Sequence, residues 1–535
     1  MKFKKFAAIT ASALCFTFAF AVTSAIAETN VVFNLGEASK SIDPQLVTGI
    51  TGSQVDVACM EGLTDIKAGG KIVPAGAASW DISKDGLIYT FHLRKDAKWS
   101  NGEPVTADDF FFGMKRALEP ATASQYSYFL YNVKNAEAFN VGKIKDFKDV
   151  GIKVIDKYTL QITLANPCTY FLQLLSAPTT FPCNEAFFKK VGSSYSLSPD
   201  KMLYNGPWQL KSMVTGDGGN YTFTKNPYYW DAKNIKIDNL KFDLITDPNT
   251  VALMFMTGQL DLATITANQL NQFSGSKEVF YFPAGGIWYL ELNVTNKYLK
   301  NENIRKAISL AINRDQLCTD VLKDHSTPAL AFVPPGTKGP DGKTFREANG
   351  NYNIKENLTE AKELYAKGLK ELGVTGPITL KLLVNQAGEN VPICVYVQQQ
   401  LLQNLGINVQ LDVETFQSRL LKMQQHNFDM CYAGWIPDYN DPLTYLNLFV
   451  TGGGNNDPQF SNKEYDSLIS TATNSSDDTV RMADMHKAEN ILMAQMPIVP
   501  LFYPSTIYLK KTWLKGVEFT QITPAVNFRW AYVDK

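Results

Sequence analysis

The segment that decides the fold class is TLKLLVNQAGENVPICVYVQQQLLQNLGINVQLDVE, residues Thr379–Glu414. Its first part, Thr379–Gln386, is short and apolar, as expected of a β-strand. Residues Val391–Gly406 carry apolar side chains at helical spacing and end at a glycine, which is typical of a helix C-terminus. Ile407–Glu414 then alternates like a second strand. Strand, helix and strand form a βαβ unit, so the sequence predicts an α/β fold with parallel strand pairing.

Two further segments fit the same mixed architecture. GLIYTFHLR (Gly86–Arg94) alternates, with Tyr89, Phe91 and Leu93 on one face, and therefore predicts a half-buried strand. NENIRKAISLAINRDQL (Asn301–Leu317) predicts an amphipathic helix. Because domains commonly contain about 100–200 residues, a chain of 535 residues suggests about three of them.

The first residues have the features of a secretory signal peptide. The lysines of MKFKK precede an uncharged apolar stretch, and the small-residue motif AIA ends at Ala27. We expect residues 1–27 to be removed and the rest to reach the periplasm. Cys15 lies inside the apolar stretch and is poorly placed for lipidation, so no lipid anchor is expected.

The charge pattern argues against nucleic acid and against a second membrane segment. The chain has 51 basic and 52 acidic residues and a net charge of −1, with no long basic run. This pattern predicts no nucleic-acid partner. After the signal peptide, no stretch of about 18 uncharged apolar residues follows, so no transmembrane helix is expected.

Recognisable catalytic and metal-binding motifs are absent from the sequence. The four histidines have no metal-like spacing, and neither H-E-x-x-H nor G-x-S-x-G occurs. The loop Val333–Thr344 resembles a phosphate-binding loop but lacks the required glycine spacing. We therefore expect no catalytic residue, no metal, no cofactor and no enzyme activity. Scattered carboxylates leave an acid–base pair open.

Six cysteines follow the signal peptide, and none forms C-x-x-C. An oxidising compartment permits disulfides. The best candidate pair is Cys168 with Cys183, because NPCTYF and TTFPCN look like the two ends of one local loop. Buried free thiols are the alternative.

The loop AGWIPDYNDP (Ala433–Pro442) is the strongest candidate for ligand contacts. Trp435 offers a flat, rigid surface, and Asp438 would pair strongly with an ammonium group inside a closed cleft. The loop is either a clamp for a primary amine, or Asp438 caps a turn or a helix and Trp435 belongs to the core. Further aromatic candidates at predicted turns are Tyr126, Tyr128, Trp288, Tyr289 and Tyr503.

The segment AASWDISKDGLIYTFHLRKDAKWSNGEPVTADDFFFGMKRALEP (Ala77–Pro120) closely resembles the signature of peptide-binding proteins of ABC importers, in the oligopeptide-binding branch of solute-binding family 5. The motifs SIDPQ, NGPWQL, NPYYWDA, MTGQLDLA and FSNKEYDSLI accompany it in the order of the family. The resemblance implies a large three-domain periplasmic-binding-protein fold of type II, with two lobes closing over the ligand. Domain I would comprise residues 28–60, 184–285 and 505–535, domain II residues 61–183, and domain III residues 286–504.

The resemblance also implies roles for individual side chains. Asp438 would pair with the α-ammonium of a peptide, and Trp435 would line a side-chain pocket. Tyr126 would contact the peptide near its N-terminus, although Tyr128 is close enough to leave the register open. Phe416 stands where relatives usually have tryptophan.

Backbone groups near Thr48 and Ile50, and near Gly434 and Ile436, would bind the peptide as an added β-strand. The implied function is the capture of peptides with a free N-terminus and their delivery to a membrane ABC permease by a monomeric protein. One alternative is the same fold with another solute, such as a dipeptide, a murein peptide, haem or a nickel chelate. Others are a secreted hydrolase and a holdase for unfolded chains.

Overall fold

The computed structural model describes residues 28–522 and 525–534. The predicted signal peptide, residues 1–27, lies outside this described part. Among the described helices, none combines the length and apolar character that a membrane crossing requires. The chain folds around three large β-sheets with helices packed against them, which confirms the predicted α/β class.

The largest sheet has seven strands drawn from three separate sections of the chain. Strand Asn30–Asn34 lies inside it and pairs in parallel with Asn239–Asp243 and Leu262–Ile265. Val31 and Phe33 of this strand are buried in the main hydrophobic core. Across the sheet the order is Val279–Pro283, Ser505–Lys510, Leu262–Ile265, Asn30–Asn34, Asn239–Asp243, Asn220–Lys225 and Trp208–Val214.

A four-stranded antiparallel sheet is built from residues 77–163. The predicted alternating strand is Ile88–Leu93, and its residues Tyr89, Phe91 and Leu93 are buried as expected. The order across the sheet is Ala77–Ile82, Ile88–Leu93, Thr159–Thr163 and Ile152–Asp156.

The six-stranded sheet contains the predicted βαβ unit. Strands Thr379–Asn385 and Asn408–Glu414 pair in parallel, and helix Asn390–Leu405 connects them. Gly406 ends this helix with a φ of 70°, a left-handed conformation that favours glycine. The order across the sheet is Thr327–Pro328, Ile498–Tyr503, Ile287–Leu292, Met430–Trp435, Thr379–Asn385 and Asn408–Glu414.

The predicted helix Asn301–Leu317 is wrong in its extent, because the structure divides it into Glu302–Leu310 and Arg314–Gln316. The Asn313 side chain accepts a hydrogen bond from the Gln316 backbone N–H at 2.8 Å and so caps the second helix. Such a cap requires an extended backbone at Asn313, which ends the first helix before it.

The remaining helices and short strand pairs surround these sheets. The helices are Ile50–Cys59, Ala107–Leu118, Ala136–Asn140, Phe171–Leu174, Glu185–Val191, Pro248–Met256, Phe345–Asn349, Leu358–Leu372, Phe416–Gln424, Leu443–Leu446, Lys463–Asn474 and Asp478–Gln495, with a π-helical turn at Leu317–Leu322. The strand pairs are Thr64–Lys67 with Lys71–Pro74, Leu514–Lys515 with Tyr532–Val533, and Glu518–Phe519 with Val526–Asn527.

The predicted disulfide between Cys168 and Cys183 is wrong, because all six described cysteines are buried free thiols. Cys168 lies beside Tyr170, whereas Cys183 lies beside Tyr195 and Arg116. The intervening residues form short helical turns against the core instead of an excursion that returns to its start. Each thiol therefore behaves as a small apolar side chain within its own packing environment.

We expect these thiols to be unreactive in the native protein. Burial raises the pKa of Cys168 and of Cys183 to about 12, so both stay protonated at neutral pH. Ellman's reagent should label none of the six in the native protein at pH 8, and all six after unfolding without reductant. Fewer than six labelled thiols after unfolding would reveal a disulfide and contradict the structure.

Candidate ligand-binding site

Asp438 carries a partly buried carboxylate with few partners. It follows the strand Met430–Trp435 by three residues and caps no helix. Its only hydrogen bond from a described residue comes from the phenol of Tyr128, which lies 3.3 Å from Oδ2. The interpretation of Asp438 as a turn cap is therefore wrong, and its carboxylate faces the space between two parts of the chain.

The electrostatic surroundings of Asp438 favour a cationic ligand. Burial raises the pKa of its carboxyl to about 6, and the hydrogen bond from Tyr128 opposes this shift. Among the described residues, no basic side chain contributes to the pKa of this carboxyl. Burial and the charge of Asp438 together also raise the pKa of Tyr126. A carboxylate that is desolvated but not paired is stabilised when a positive group arrives.

Asp441, three residues further along, holds the loop in place. Its two carboxylate oxygens accept hydrogen bonds from one nitrogen of Arg481 at 3.0 and 3.1 Å, and each side chain is only 2% exposed. Asp441 also accepts a hydrogen bond from the Leu443 backbone N–H at 3.0 Å, at the start of helix Leu443–Leu446. The turn cap that we considered for Asp438 is therefore provided by Asp441.

Thr444 connects the two residues that the sequence singled out. Its hydroxyl oxygen accepts hydrogen bonds from the Trp435 indole N–H and from the Asp438 backbone N–H, both at 3.3 Å. Thr444 is itself 4% exposed. Because both donors share one buried acceptor, the Trp435 indole is held close to the backbone of Asp438.

Asp438 borders two cavities. The first, here called the clamp cavity, has a volume of about 170 Å³. Its wall includes Thr48, Ile50, Tyr126, Ile436 and Asp438. The second, here called the aromatic cavity, has a volume of about 660 Å³. Its wall includes Tyr128, Glu137, Tyr170, Trp435, Asp438 and Tyr439. Six of the ten predicted site residues therefore line these two cavities.

Gly434 and Phe416 lie outside both cavities. Gly434 is exposed in strand Met430–Trp435, and an added Cβ there would lie 2.8 Å from the Trp288 ring. Phe416 is 52% exposed on its helix, where the Arg419 guanidinium lies 5.4 Å from its ring centre. These surroundings give no indication that Phe416 contacts a ligand.

The predicted location of Tyr289 and Tyr503 at turns is wrong, because both lie in strands of the six-stranded sheet. Tyr289 is 3% exposed and packs against the ring of Phe332 at 5.1 Å. The Tyr503 phenol donates a hydrogen bond to the Ala331 carbonyl at 2.9 Å. Both lie in short apolar runs, IWYLEL and IVPLFY, which are typical of buried strands and which our reading of these aromatics overlooked.

Contacts across the cleft escaped the sequence analysis. The rings of Tyr170 and Tyr439 stack in parallel with centres 3.9 Å apart. The Asn440 backbone N–H donates to the side-chain oxygen of Gln173 at 2.8 Å. These contacts join the part of the chain that contains the four-stranded sheet to the part that contains the six-stranded sheet. The only signal in the sequence is that Tyr439 and Asn440 directly follow Asp438.

Comparison with known proteins identifies the family. Residues 71–457 match the family model for bacterial extracellular solute-binding proteins, family 5. The chain belongs to this family. It is 36% identical over 472 residues to the dipeptide-binding protein DppE of Bacillus subtilis, which covers 88% of this chain and 86% of the relative. It is 34% identical to the oligopeptide-binding protein OppA of the same organism, over 94% of this chain and 93% of the relative.

Solved structures show the same fold. The structure of Listeria monocytogenes OppA bound to peptide is similar with a TM-score of 0.78 and 34% identity, over 95% of this chain and all of that one. Haemophilus influenzae OppA in complex with the peptide RPPGFSPFR is similar with a TM-score of 0.78 and 29% identity, over 95% of this chain and 99% of that one. The two-lobed solute-binding architecture expected from the sequence is confirmed.

We expect Asp438→Asn to stabilise the empty protein. The pKa of Asp438 is about 6 in the folded state and near 3.9 when unfolded, so the ionised carboxylate destabilises the fold above pH 6. At pH 7 the variant should gain about 1–3 kcal/mol in the free energy of unfolding, and the gain should disappear near pH 4. Urea unfolding at the two pH values measures it.

Asp441→Asn is the matched control in the same loop. It removes the buried charge partner of Arg481, which keeps only the more exposed Asp478 at 2.9 Å, and breaking a buried pair commonly costs about 3–5 kcal/mol. If Asp438→Asn raises the free energy of unfolding at pH 7 and Asp441→Asn lowers it, the two residues have the distinct roles described above. If Asp438→Asn also destabilised the protein, Asp438 would be a structural residue.

Proposed function

We propose that this protein captures peptides with a free N-terminus and delivers them to a membrane ABC permease. The observation that carries the proposal is the carboxylate of Asp438, which is desolvated, lacks a cationic partner in the described chain and borders two cavities. A peptide's α-ammonium supplies the missing charge. The names of the relatives, which include dipeptide- and oligopeptide-binding proteins, agree with this ligand class.

The peptide backbone would bind along the open edge of strand Met430–Trp435. This strand pairs with Ile287–Leu292 along its whole length, but with Thr379–Asn385 only at Met430 and Cys431. Beyond those residues, the described structure places no second strand beside it. A peptide added there forms main-chain hydrogen bonds that do not depend on its side chains. Thr48 and Ile50 form the opposite wall of the clamp cavity.

Ligand binding would favour the closed arrangement of the lobes. The stacked Tyr170 and Tyr439 and the hydrogen bond between Asn440 and Gln173 exist only when the two sides are together. A ligand anchored at Asp438 contacts the same loop, so it adds interactions that the open form lacks. The closed form is the one that we expect the permease to recognise.

The domain boundaries, the location of the protein and its monomeric state belong to the same proposal. The proposal includes three domains with the boundaries expected from the sequence. In its support, each of the three large sheets takes all its strands from a single one of these domains. The mature protein is a periplasmic monomer that begins after Ala27 without a lipid, and it binds no nucleic acid. It acts by binding rather than by catalysis, as expected for this family of solute-binding proteins. In the described residues, no group of three or more potential metal ligands occurs.

Calorimetric titration with three forms of one peptide tests the amine clamp. N-acetylation should weaken binding to the wild type by about 30-fold or more, because losing one partner of a buried charge pair costs about 2–5 kcal/mol. Asp438→Asn should weaken binding of the free peptide similarly. C-terminal amidation should matter less, because the proposal assigns the C-terminal carboxylate of the peptide no charged partner. Equal affinity for free and acetylated peptide would overturn the proposal.

The affinity should also depend on pH in a bell shape. Below about pH 6 the Asp438 carboxyl is protonated in the empty protein, so affinity should fall by up to tenfold per pH unit. Above about pH 8 the peptide amine loses its charge, and affinity should fall again. Titrations of the wild type between pH 4.5 and 9 measure both limbs. Asp438→Asn should lack the acidic limb, and an unchanged acidic limb in that variant would assign it to another group.

A further inference from the structure

A third cavity, here called the apolar cavity, continues beyond the clamp cavity. It has a volume of about 310 Å³ and shares Ile50 and Ile436 with the clamp cavity. One wall is a face of the seven-stranded sheet that includes Phe33, Phe282 and Tyr508. The opposite walls are the first helix and residues 520–522 and 525–526. A ligand anchored at Asp438 and extending past Ile436 enters this space.

The apolar cavity contrasts with the aromatic cavity in charge. Its described lining has no acidic or basic residue, and its polar groups are the hydroxyls of threonine and Tyr508 and the amides of asparagine and glutamine. The Asn34 amide already exchanges hydrogen bonds with the Ile245 backbone, at 3.1 and 3.2 Å, and the Gln54 amide donates to the Val526 carbonyl. These amides are therefore committed to the protein. The aromatic cavity, in contrast, includes Asp438 and the exposed Glu137.

The direction of the peptide decides which residue reaches the apolar cavity. Ile436 precedes Asp438 by two residues, so it lies near the residues that follow the amine of a peptide running antiparallel to this segment. Successive residues of an extended peptide advance about 3.3 Å, and their side chains alternate in direction. The second or third peptide residue therefore points past Ile436, while the first stays near Asp438 and the aromatic cavity.

We propose that the apolar cavity selects peptides whose second or third residue has an uncharged, apolar side chain. This inference rests on the proposed function, because it takes the amine of the ligand to lie at Asp438. A charged side chain in the apolar cavity loses its hydration and meets no opposite charge in the wall, which is unfavourable. An apolar side chain is stabilised by burial in the same cavity. The first residue, near the aromatic cavity, remains free to vary because that cavity is larger and polar.

A peptide scan tests the selection. The host is a pentapeptide of alanine with a free amine, in which leucine, aspartate or lysine replaces one residue at a time. Calorimetry with the wild type should show one position, the second or third, where leucine binds at least tenfold more tightly than aspartate and lysine. At the first position the three should differ less than threefold.

The variants Thr506→Lys and Thr506→Val separate charge from shape. Thr506 lies in the wall of the apolar cavity, on strand Ser505–Lys510. Thr506→Lys should improve binding of the aspartate peptide at the selective position by about tenfold relative to the leucine peptide. Thr506→Val should keep the wild-type order, and a circular-dichroism spectrum and thermal unfolding like those of the wild type show that each variant is folded.

The outcomes distinguish this inference from the proposed function. If the amine proves essential but every position accepts charged residues equally, the inference is overturned and the proposed function stands. If no free peptide binds the wild type, the proposed function fails first. Selectivity for leucine that persists unchanged in Thr506→Lys would place the selective site elsewhere and overturn the assignment to this cavity.

Discussion

The buried ion pair between Asp441 and Arg481 is the interaction on which the candidate site depends. A loop that carries one unpaired, partly buried carboxylate is electrostatically unfavourable and needs support from elsewhere. Asp441 supplies that support, because its carboxylate is paired with Arg481 and also accepts a hydrogen bond from the Leu443 backbone N–H in the turn before the following helix. Two acidic residues three positions apart thus differ in their pairing, since Asp441 has a basic partner and Asp438 has none among the described residues. One is satisfied within the protein, and this leaves the other available for a ligand.

The same loop also forms the contact between the two lobes. Trp435 and Asp438 are held by Thr444 on one side, while Tyr439 stacks on Tyr170 of the opposite lobe. The proposed ligand anchor and the contact that closes the cleft therefore lie on adjacent residues of one segment. This arrangement lets a single bound group bias the equilibrium between open and closed forms, since only the closed form offers both sets of contacts.

Local patterns in the sequence predicted the parts of the fold that depend on local physics. The βαβ unit at Thr379–Glu414 was correct because strand alternation and a glycine helix end are properties of neighbouring residues. Asp438 was singled out as a candidate for ligand contact, but its two alternative roles could not be separated from the sequence. Their separation depends on Arg481, forty residues away in the sequence, which satisfies Asp441 instead.

Other errors have the same origin. Whether Tyr289 contacts a ligand or Phe332 depends on which face of a strand is covered, and a single sequence does not reveal what covers it. The choice between Tyr126 and Tyr128 was left open for a similar reason, and the structure gives both a place, with Tyr126 in the clamp cavity and Tyr128 bonded to Asp438. The supposed disulfide was inferred from closeness in sequence, whereas disulfide formation requires closeness in space.

The raised pKa of Asp438 bears on how strongly a charged ligand could bind, because it reflects the loss of water around this carboxylate. Burying two opposite charges is usually a poor source of affinity, because desolvating both ions offsets most of their attraction. Here part of the desolvation of the carboxylate accompanies folding, as its raised pKa indicates, so we expect part of the cost as reduced stability of the empty protein. In the proposed complex, binding would then mainly have to desolvate the ammonium. The ion pair can therefore contribute more to affinity than an ordinary buried salt bridge contributes to folding.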